Sequence, residues 1–448
     1  MLDLHFIQTC LRQPIQHKNI LFNNVSIDSR TLQSGALFIA IRGANFDGHD
    51  LLNKAIEKGA TAAIVSHAVT SSIPLIIVPD TIKALGQLAQ LWRQTFTLPL
   101  IAVTGSCGKT TTKSILANIL SQKGASLATT GTLNNEIGVP LTLLQLKKTH
   151  QFAVIELGAN HPGEISYVAS LAKPTIALIT TIAPVHLEGF GSLEDVAKAK
   201  SEIYDALSDE GVAILNHDDT FYDFFKKQNQ HRKYFTFGLT KKNNVYASDI
   251  VMTAEGFPKF NLHYGNDTTS ITLPLLGKHN VTNALAAACA ALSLEIALTD
   301  VKKGLESIIP EKKRMNRYTA FNQATLFDDT YNANPTAFLA ALDFLTHQPG
   351  NKILVVGDMG ELGSDAVYYH EQLGKQAKNK GIHCLLALGP LSAYTVNAFG
   401  NEKTAKHFEN KIELIAYLKK HLTPKDTVLI KGSRSTKMEE VVEALKGE

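Results

Sequence analysis

Short apolar runs alternate with amphipathic stretches along most of the chain. Near-continuous apolar runs bounded by turn residues predict buried strands, and apolar positions spaced by three or four residues predict the helices between them. Strands that are apolar on both faces and separated by helices are typical of parallel sheets covered on both sides. The pattern therefore predicts an α/β protein whose functional sites lie at the carboxyl ends of its strands.

The first predicted domain is a small α/β unit over residues 1–82. Its loops SIDSR (26–30) and RGANFDGHD (42–50) place polar groups beside glycines. This composition suits an anionic or sugar-like ligand, but from the residues alone surface loops with ordinary turn chemistry are the favoured interpretation. The polar loop residues are Ser29, Arg30, Gly43, Asp47, Gly48 and His49. The predicted strands are 25–30, 36–41, 62–66 and 74–78, with a helix over 51–58.

The second predicted domain covers residues 83–313 and has the most apolar strands. After a helix over 82–96, strand and helix patterns alternate as a parallel sheet requires. Alternating apolar and polar residues after Gly238 predict an added antiparallel segment, followed by a long Ala-rich helix from about Asn280. Pro310 and the charged run EKKR then mark a linker. The predicted parallel strands are 100–105, 125–129, 152–158, 175–182, 211–216 and 234–238.

The third predicted domain, residues 314–448, has predicted strands at 324–329, 352–358, 383–389 and 427–433. The fold predicted for the whole chain is therefore α/β with three domains. A central P-loop parallel sheet with an added antiparallel segment is flanked by the small N-terminal α/β domain and by a Rossmann-like C-terminal α/β domain. A chain of 448 residues is long enough for several cores, so ligand pockets between domains are expected.

Composition and charge exclude several classes of protein. Lys and Arg number 44 against 41 Asp and Glu, and these charges are interspersed, which argues against a surface dedicated to nucleic acid. The four cysteines form no C-x-x-C pair, so neither a disulfide framework nor a structural zinc site is indicated. The most apolar helix, 284–298, is short for a membrane span and contains Glu295. We expect a soluble, cytoplasmic monomer that does not insert into membranes.

The stretch LIAVTGSCGKTTTKSILANIL (100–120) predicts a phosphate-binding loop between a buried strand and an amphipathic helix. Backbone N–H groups of the turn and the helix N-terminus would face an anion, Lys109 would add a positive charge, and the Thr110 hydroxyl would hold Mg²⁺. Val103 stands where the usual pattern has its first Gly, so the loop is a shortened variant. An ordinary strand and helix with an exposed lysine is the alternative. The candidate nucleotide ligands are Gly105, Ser106, Cys107, Gly108, Lys109, Thr110 and Thr111.

Two polar residues end neighbouring predicted strands. Glu156 closes the strand 152–158, and His186 follows the strand 175–182. A buried carboxylate without a partner is costly, which favours a role for Glu156 as a Mg²⁺ ligand. Mg²⁺ prefers oxygen ligands, so His186 is compatible with a metal ligand and with a structural hydrogen-bonding residue.

A helix is predicted to begin at Ser192, because Ser192 and Asp195 have the spacing of a capping box. Lys198 and Lys200 lie two residues apart on this helix and cannot share a face. On composition alone both lysines are expected to be solvated.

Two further stretches concentrate polar residues at predicted helix starts. His279 and Asn283 lie one helical turn apart at the beginning of the Ala-rich helix. The run DDTYNANP (328–335) follows a strand and ends on Asn334 and Pro335, an ordinary signal for helix entry. Either stretch suits ligand binding or mere capping.

In combination these stretches resemble the Mur ligase family, ATP-dependent enzymes that form amide bonds in peptidoglycan synthesis, and the resemblance covers nearly the whole chain. TGSCGKTT resembles the shortened phosphate loop of that family. The runs DDTYNANP and GDMGELG (357–363) resemble the branch that adds D-alanyl-D-alanine, and the DNPR-type signature of the diaminopimelate-adding branch is absent. The runs that follow the central-domain pattern in order are 132–144, 155–165, 186–203 and 277–287.

The resemblance implies a catalytic set of Lys109, Lys200, His186 and Glu156. Lys109 would hold the ATP phosphates, and Thr110, Glu156 and His186 would hold Mg²⁺. Lys200 matches a family lysine that is carbamylated, and its carbamate would help to bind a second Mg²⁺, which an ammonium could not do. By the same resemblance His279 and Asn283 would contact adenine, and Arg314 and Asp329 would contact the ribose or the phosphates. Ser29 and Arg30 would hold the uridine end of a nucleotide substrate. The remaining residues that would contact the substrates are Asn134, Asn135, Tyr331, Asn332 and Asn334. Thr181 stands where the family often has Asn, which leaves the hydrogen bonding there open.

The implied reaction joins D-alanyl-D-alanine to UDP-N-acetylmuramoyl-tripeptide through an acyl phosphate, with ATP and two Mg²⁺. The products would be the pentapeptide, ADP and phosphate, which serve cell-wall formation and with it cell shape and division. Closure of the C-terminal domain over ATP would exclude water. Two alternatives stay open at this point: another ligase of the superfamily, such as the diaminopimelate-adding type or folylpolyglutamate synthetase, and a nucleotide-dependent switch or binding module without a second substrate pocket. The third residue of the tripeptide and the base for the incoming amine are not indicated.

Overall fold

Three separate sheets organise the chain in the computed structural model, which describes residues 2–12, 14, 17–43, 46–400 and 402–447. The sheets have four, nine and six strands, follow one another along the sequence, and consist mainly of parallel pairs. This arrangement confirms the predicted three-domain α/β fold. Each domain therefore has a sheet of its own with carboxyl strand ends on which a site can be built.

The N-terminal sheet is entirely parallel in the order β1-β2-β3-β4. The strand predicted over 25–30 ends at Ser26, because Ser26 and Asp28 side chains bond the backbone of residues 28 and 30 in place of a neighbouring strand. A short N-terminal helix that the hydrophobic pattern did not predict precedes this sheet. The elements are α1 (Leu4–Cys10), β1 (Asn24–Ser26), β2 (Ala36–Ile39), α2 (Leu52–Glu57), β3 (Ala60–Val65) and β4 (Leu75–Ile77).

Helix α3 (Thr81–Gln94) joins the first two domains. The Asp80 side chain caps it by accepting hydrogen bonds from the N–H groups of residues 82 and 83. Leu85 and Leu88 pack into the core of the N-terminal domain, and Ala89 packs into the core of the central domain. The helix therefore begins at the predicted boundary near residue 82 and is shared between the two cores.

The central sheet has the order β13-β12-β11-β10-β9-β8-β5-β7-β6. Pairs from β11 to β6 are parallel, and β12 and β13 extend the sheet as antiparallel strands, so the predicted antiparallel segment is confirmed. The strands are β5 (Leu100–Thr104), β6 (Ser126–Ala128), β7 (Phe152–Glu156), β8 (Ile176–Ile179), β9 (Val212–Asn216), β10 (Tyr234–Gly238), β11 (Val245–Met252), β12 (Pro258–Tyr264) and β13 (Asp267–Thr272). The helices are α4 (Lys109–Ser121), α5 (Gly138–Leu143), α6 (Glu164–Ala172), α7 (Leu187–Phe190), α8 (Leu193–Asp205), α9 (Tyr222–Gln228), α10 (His279–Leu292) and α11 (Leu298–Glu306).

Both faces of the central sheet are buried, as the apolar strands predicted. Along β5, Ile101 and Val103 enter one core, whereas Leu100 and Ala102 enter the core on the opposite face. Strand β5 therefore lies in the interior of the domain, with all five of its residues buried. The phosphate loop begins at its carboxyl end.

The C-terminal sheet has the order β14-β15-β19-β16-β17-β18, and only β14 runs antiparallel to its neighbour. The pattern missed β14 and β18 because each is a short edge strand with polar residues on its exposed face. The strands are β14 (Asn316–Thr319), β15 (Thr325–Asp329), β16 (Asn351–Gly357), β17 (Cys384–Leu388), β18 (Ala405–Phe408) and β19 (Asp426–Lys431). The helices are α12 (Pro335–Thr346), α13 (Ala366–Asn379), α14 (Ser392–Phe399), α15 (Lys411–His421) and α16 (Glu439–Leu445).

Two properties of the whole chain follow from the structure. In the part of the chain that is described, no helix has both the length and the apolar character needed to cross a lipid bilayer. Cys10, Cys107, Cys289 and Cys384 are all free thiols.

Replacement of Gly304 by Ala is expected to destabilise the central domain. Gly304 lies on α11 where that helix contacts α4, and a Cβ atom there would lie 2.4 Å from the Cα of Ile119. An unobstructed Gly→Ala change in a helix stabilises by about 1 kcal/mol, whereas the forced separation of α11 and α4 is expected to cost about 1–3 kcal/mol. Thermal unfolding followed by circular dichroism measures the change. K303A, on the exposed face of the same helix, is the control, and a rise in Tm for G304A would contradict the prediction.

Candidate active site

A cavity of about 1140 Å³ lies between the central and C-terminal domains. The carboxyl ends of strands from both sheets open into it, as the strand-end rule predicted. The walls also contain the start of α4 and the start of α10. The predicted site residues that line this cavity are Ser106, Cys107, Gly108, Lys109, Thr110, Thr111, Asn134, Asn135, Glu156, His186, His279, Asn283, Arg314, Asp329, Tyr331, Asn332 and Asn334.

Two glycines give the phosphate loop its shape. Gly105 has φ +145°, and a Cβ atom there would lie 1.9 Å from the Thr180 hydroxyl oxygen. Gly108 has φ +81° and caps α4, and a Cβ atom there would lie 2.2 Å from Asn283 Oδ1. Val103, at the position of the missing Gly, pairs with Glu156 in the sheet. The loop is short because the strand continues through Val103.

Hydrogen bonds fasten the loop to the end of β8. The Ser106 hydroxyl donates to the carbonyl of Ala183 at 3.0 Å and accepts from its N–H at 2.9 Å. The Thr180 hydroxyl donates to the carbonyl of Cys107 at 2.5 Å. Because these bonds hold the loop from behind, the first N–H groups of α4, which have no acceptor within the helix, are left toward the cavity.

Lys109 folds back over the loop. Its ammonium donates to the carbonyl of Gly105 at 2.7 Å. Burial lowers the pKa of Lys109, and the Glu156 carboxylate opposes that shift. The lysine therefore places a positive charge at the loop, close enough to Glu156 for the two charges to interact.

Glu156 is buried at the end of β7, with 1 % of its surface exposed. Its Oε1 accepts a hydrogen bond from the Asn134 amide at 2.8 Å, whereas its buried Oε2 has no hydrogen-bond partner among the described residues. An unpaired buried carboxylate oxygen at a cavity wall fits a cation ligand. In the described part of the chain, no three His, Cys, Asp or Glu residues cluster closely enough to hold a metal by themselves. A cation here would therefore also need hydroxyl, water or phosphate oxygens.

Lys200 contradicts the expectation from composition that it is solvated. It is 1 % exposed, whereas Lys198 on the same helix is exposed and pairs with Asp195 at 3.3 Å. Among the described residues the Lys200 ammonium has no carboxylate or carbonyl partner, and it lies 5.6 Å from the centre of the Phe190 ring. Burial, followed by repulsion from Lys109, lowers the pKa of Lys200 well below its ordinary value. Ser192 caps this helix as predicted, with its side chain accepting from the N–H of Asp195.

His186 lies where the central and C-terminal domains meet. Its backbone is left-handed, with φ +51°, and its Nδ1 lies beside the carboxylate of Glu361 from the GDMGELG loop. The backbone N–H of Glu188 also approaches the carbonyl of Glu361. The sequence indicated neither contact, because the two segments are far apart along the chain.

Residues of the interdomain linker contact the helix that follows the phosphate loop. The Arg314 guanidinium donates to the Thr110 hydroxyl at 2.9 Å and stacks on the Tyr331 ring at 3.9 Å. Glu311 accepts a hydrogen bond from the Ser114 hydroxyl at 2.6 Å. The first turns of α4 therefore follow the phosphate loop and also bond the interdomain linker.

Asp329 forms an ion pair that the sequence did not indicate. Its Oδ2 accepts a hydrogen bond from the Lys431 ammonium at 2.6 Å, and the same ammonium donates to the carbonyl of Asn332 at 2.9 Å. Both Asp329 and Lys431 line the cavity at the carboxyl ends of neighbouring strands. The strand-end rule that selected Glu156 also applies to Lys431, the last residue of β19.

The start of α10 and the end of β8 bring further predicted residues into contact. Asn283 accepts a hydrogen bond from the Thr112 hydroxyl at 3.4 Å and donates to the Asn280 side chain at 2.9 Å. The Thr181 hydroxyl donates to Asp219 at 3.0 Å, which answers the question of hydrogen bonding at that position. Asn334 caps α12 with Pro335 in its first turn, as the sequence predicted.

Four of the predicted residues are not part of the cavity wall. Gly105 and Lys200 do not line the cavity, and Ser29 and Arg30 lie in the loop that follows β1 in the N-terminal domain. Ser29 is buried, and Arg30 is exposed and forms an ion pair with Asp28 at 2.8 Å. Of the second polar loop, residues 44 and 45 lie outside the described residues, and His49 is buried against Asp47 at 2.5 Å. The structure thus leaves the N-terminal loops apart from the cavity.

Models of the Mur ligase family match all three domains. The Mur ligase family catalytic domain matches residues 21–93, the Mur ligase middle domain matches 103–291, and the Mur ligase glutamate ligase domain matches 313–434.

Individual relatives match over nearly their full length. The chain is 42 % identical over 438 residues to the UDP-N-acetylmuramoyl-tripeptide--D-alanyl-D-alanine ligase of Escherichia coli, covering 97 % of this chain and 96 % of that protein. It superposes on MurF from Acinetobacter baumannii with a TM-score of 0.91 at 36 % identity, covering 98 % and 97 % of the two chains. It superposes on the MurF ligase of Thermotoga maritima, solved in complex with ADP, with a TM-score of 0.82 at 27 % identity, covering 96 % and 98 %. The chain belongs to the Mur ligase family, in its MurF branch.

Proposed function

We propose that this chain is an ATP-dependent ligase that joins D-alanyl-D-alanine to UDP-N-acetylmuramoyl-tripeptide. The observation that carries the proposal is the partnerless carboxylate oxygen of Glu156 at the same cavity wall as the phosphate loop. The full-length relatives supply the substrates, and the ADP complex of the Thermotoga maritima ligase supports nucleotide binding by this chain. A nucleotide switch has no need for a cavity of about 1140 Å³ that extends beyond the phosphate loop.

The chemistry proceeds in two displacements. The terminal carboxylate oxygen of the tripeptide attacks the γ-phosphorus of ATP, the bond from that phosphorus to the bridging oxygen breaks, and ADP leaves. The amine of D-alanyl-D-alanine then attacks the carbonyl carbon of the acyl phosphate, and the carbon–oxygen bond to phosphate breaks as the nitrogen loses a proton. Lys109 and the N–H groups at the start of α4 hold the phosphate oxygens throughout, and the domain contacts around the cavity exclude water.

We propose that Mg²⁺ binds at the Glu156 end of the cavity. The groups that would hold the ion are Glu156 Oε2, the Thr110 hydroxyl and His186. Carboxylate and hydroxyl oxygens are suitable ligands for Mg²⁺. When bound, the ion would neutralise the charge of a carboxylate brought close to a triphosphate. The Arg314 guanidinium donates a hydrogen bond to the Thr110 hydroxyl in this structure. When Thr110 holds the ion, the guanidinium would donate to a phosphate oxygen instead.

Carbamylation of Lys200 is part of the proposal. Burial lowers the pKa of Lys200, so more of the neutral amine is present near pH 7. The amine nitrogen would attack CO₂ and lose a proton, leaving a carbamate whose oxygens suit a second Mg²⁺. A buried lysine without an anionic partner is costly, and carbamylation would replace its positive charge with a negative one that Mg²⁺ and Lys109 could pair.

The N-terminal domain is proposed to hold the uridine end of the nucleotide substrate through Ser29 and Arg30. Arg30 is exposed and its partner Asp28 is a surface residue, so the pair can exchange for a ligand phosphate or sugar. The remaining polar residues assigned to substrates, Asn134, Asn135, Tyr331, Asn332 and Asn334, line the cavity. A monomer located in the cytoplasm is consistent with this use of small diffusible substrates.

ADP release is expected to require both proposed acceptor substrates. The purified chain with ATP and Mg²⁺ should release ADP at a sustained rate only when UDP-N-acetylmuramoyl-tripeptide and D-alanyl-D-alanine are both present, because phosphate leaves the acyl phosphate only after the amine attacks. A coupled assay with each substrate omitted in turn measures this. Replacing the dipeptide with free diaminopimelate tests the related ligase branch. Equal release without either acceptor would refute the proposed ligase.

Glu156→Gln is expected to raise the Mg²⁺ concentration needed for half-maximal activity. Gln keeps the oxygen that bonds Asn134 but replaces the partnerless carboxylate oxygen with an amide nitrogen that cannot bind a cation. The expected increase is about tenfold or more, comparable with the effect of altering the surroundings of a bound metal. E210Q is the control, because Glu210 lies in an exposed turn just before β9, at the amino ends of the strands and away from the cavity. An unchanged Mg²⁺ requirement in E156Q would argue against the ligand role.

Lys200→Ala is expected to abolish turnover while thermal unfolding stays cooperative. K198A, which alters the exposed lysine two residues away, is expected to keep nearly full activity. Carbon-13 NMR after equilibration with labelled bicarbonate should show a carbamate signal in the wild type and in K198A, and none in K200A. Full activity of K200A, or an identical carbamate signal in that variant, would contradict the assignment.

A further inference from the structure

The ion pair between Lys431 and Asp329 joins the carboxyl ends of two neighbouring parallel strands, β19 and β15. Asp329 and Lys431 are register partners in the sheet, so their side chains start from adjacent backbone positions. The lysine side chain is 4 % exposed and that of the aspartate 15 %, and their atoms approach to 2.6 Å. Removing one partner of a largely buried ion pair leaves an uncompensated charge, which is costly, so each residue depends on the other.

Lys431 also holds the loop that follows Asp329. Its ammonium donates to the carbonyl of Asn332 at 2.9 Å and lies 5.7 Å from the centre of the Phe338 ring on α12. Tyr331, within the same loop, stacks on the Arg314 guanidinium. One ammonium group thus connects the last residue of β15 with the loop that carries the Arg314 contact.

The pair faces the start of α10 across the cavity. Burial lowers the pKa of His279. The Asp329 carboxylate opposes that shift, and the Lys431 ammonium adds to it. His279, Asp329 and Lys431 all line the cavity, and His279 belongs to the central domain whereas the other two belong to the C-terminal domain. The ion pair therefore lies on the C-terminal side of the cleft, opposite the helix proposed to contact the nucleotide base.

We propose that Lys431 is a positioning residue for the nucleotide: it orients the Asp329 carboxylate toward the ribose hydroxyls and holds the 330–334 loop in place for the bound state. This inference rests on the proposed function, because it assumes that ATP occupies the cleft. One Asp329 oxygen is engaged by the lysine, and the other is left to accept from a hydroxyl group. Without the ammonium, the Asp329 side chain would rotate toward other donors, and its orientation would be lost.

Lys431→Met is the central test, because Met keeps an unbranched side chain only one atom shorter and removes the charge. The expected result is a rise of about tenfold in KM for ATP and a similar loss of ADP affinity, the effect of losing one hydrogen bond to a charged group. The expected kcat changes less than about threefold, because the lost contact is made equally in the ground state and the transition state. KM for D-alanyl-D-alanine should stay unchanged.

Asp329→Asn tests the same pair from the other side and does not depend on K431M folding. D329N is expected to raise KM for ATP in the same way, and K431R to restore KM to within about threefold of the wild type because it keeps the charge. The double variant D329N/K431M should be no worse than the poorer single variant, because both changes remove one shared interaction.

Asn351→Ala is the matched control for stability. Its side chain donates a hydrogen bond to Asp426 at 2.9 Å. Asp426 is the first residue of β19, so this contact lies at the amino end of the strand that Lys431 ends. N351A should lower Tm with no change in KM for ATP. A purely structural role for Lys431 predicts that K431M behaves like N351A.

The inference is overturned by either of two results. The first is a K431M variant with lowered Tm and with ADP affinity and KM for ATP within about twofold of the wild type. The second is a double variant whose loss equals the product of the single losses, because the two residues then act independently. ADP affinity measured by titration calorimetry separates this inference from the proposed function: a chain that binds ADP and makes no amide product refutes the ligase, while the affinities of the variants still decide the role of Lys431.

Discussion

The structure depends on one unfavourable arrangement, a carboxylate and an amino group buried at the carboxyl edge of the central sheet without the partners that burial demands. Among the described residues, Glu156 Oε2 has no hydrogen-bond partner and the Lys200 ammonium has no anionic partner. Such groups destabilise a domain unless a ligand completes them. The nine-stranded sheet, with an apolar core on each face, supplies the stability that lets them remain. The site is therefore charged and rigid before substrates bind, which favours ions and phosphates.

Several polar contacts join the central and C-terminal domains around this site. Arg314 bonds Thr110, Glu361 lies beside His186, and Glu311 accepts from Ser114. Polar contacts of this kind exchange with ligand atoms at little cost, whereas an apolar interface would have to expose buried surface. Under the proposed function, the same residues that join the domains would exchange these contacts for nucleotide and metal. We therefore expect nucleotide binding to be coupled to the position of the C-terminal domain.

Much of the site could be predicted because parallel sheets bring all their carboxyl strand ends to one edge. Glu156 was selected on that rule, and it lies at the cavity wall. Lys431 obeys the same rule and was missed, because a lysine after an apolar strand is usually solvated. Lys200 illustrates the same difficulty: helical spacing separates it from Lys198 but does not say which of the two faces the interior. The family resemblance, and not the composition, indicated that Lys200 is functional.

The sequence by itself determined the features that depend on neighbours along the chain. The buried strands, the Ser192 and Asn334 helix caps and the glycines of the phosphate loop follow from local sterics and hydrogen bonding. Only the tertiary structure decided the burial of Lys200 and the pairing of Lys431 with Asp329, which are 102 residues apart. Burial and ion pairing depend on which surfaces the sheets and helices bring together, and local periodicity carries no information about that.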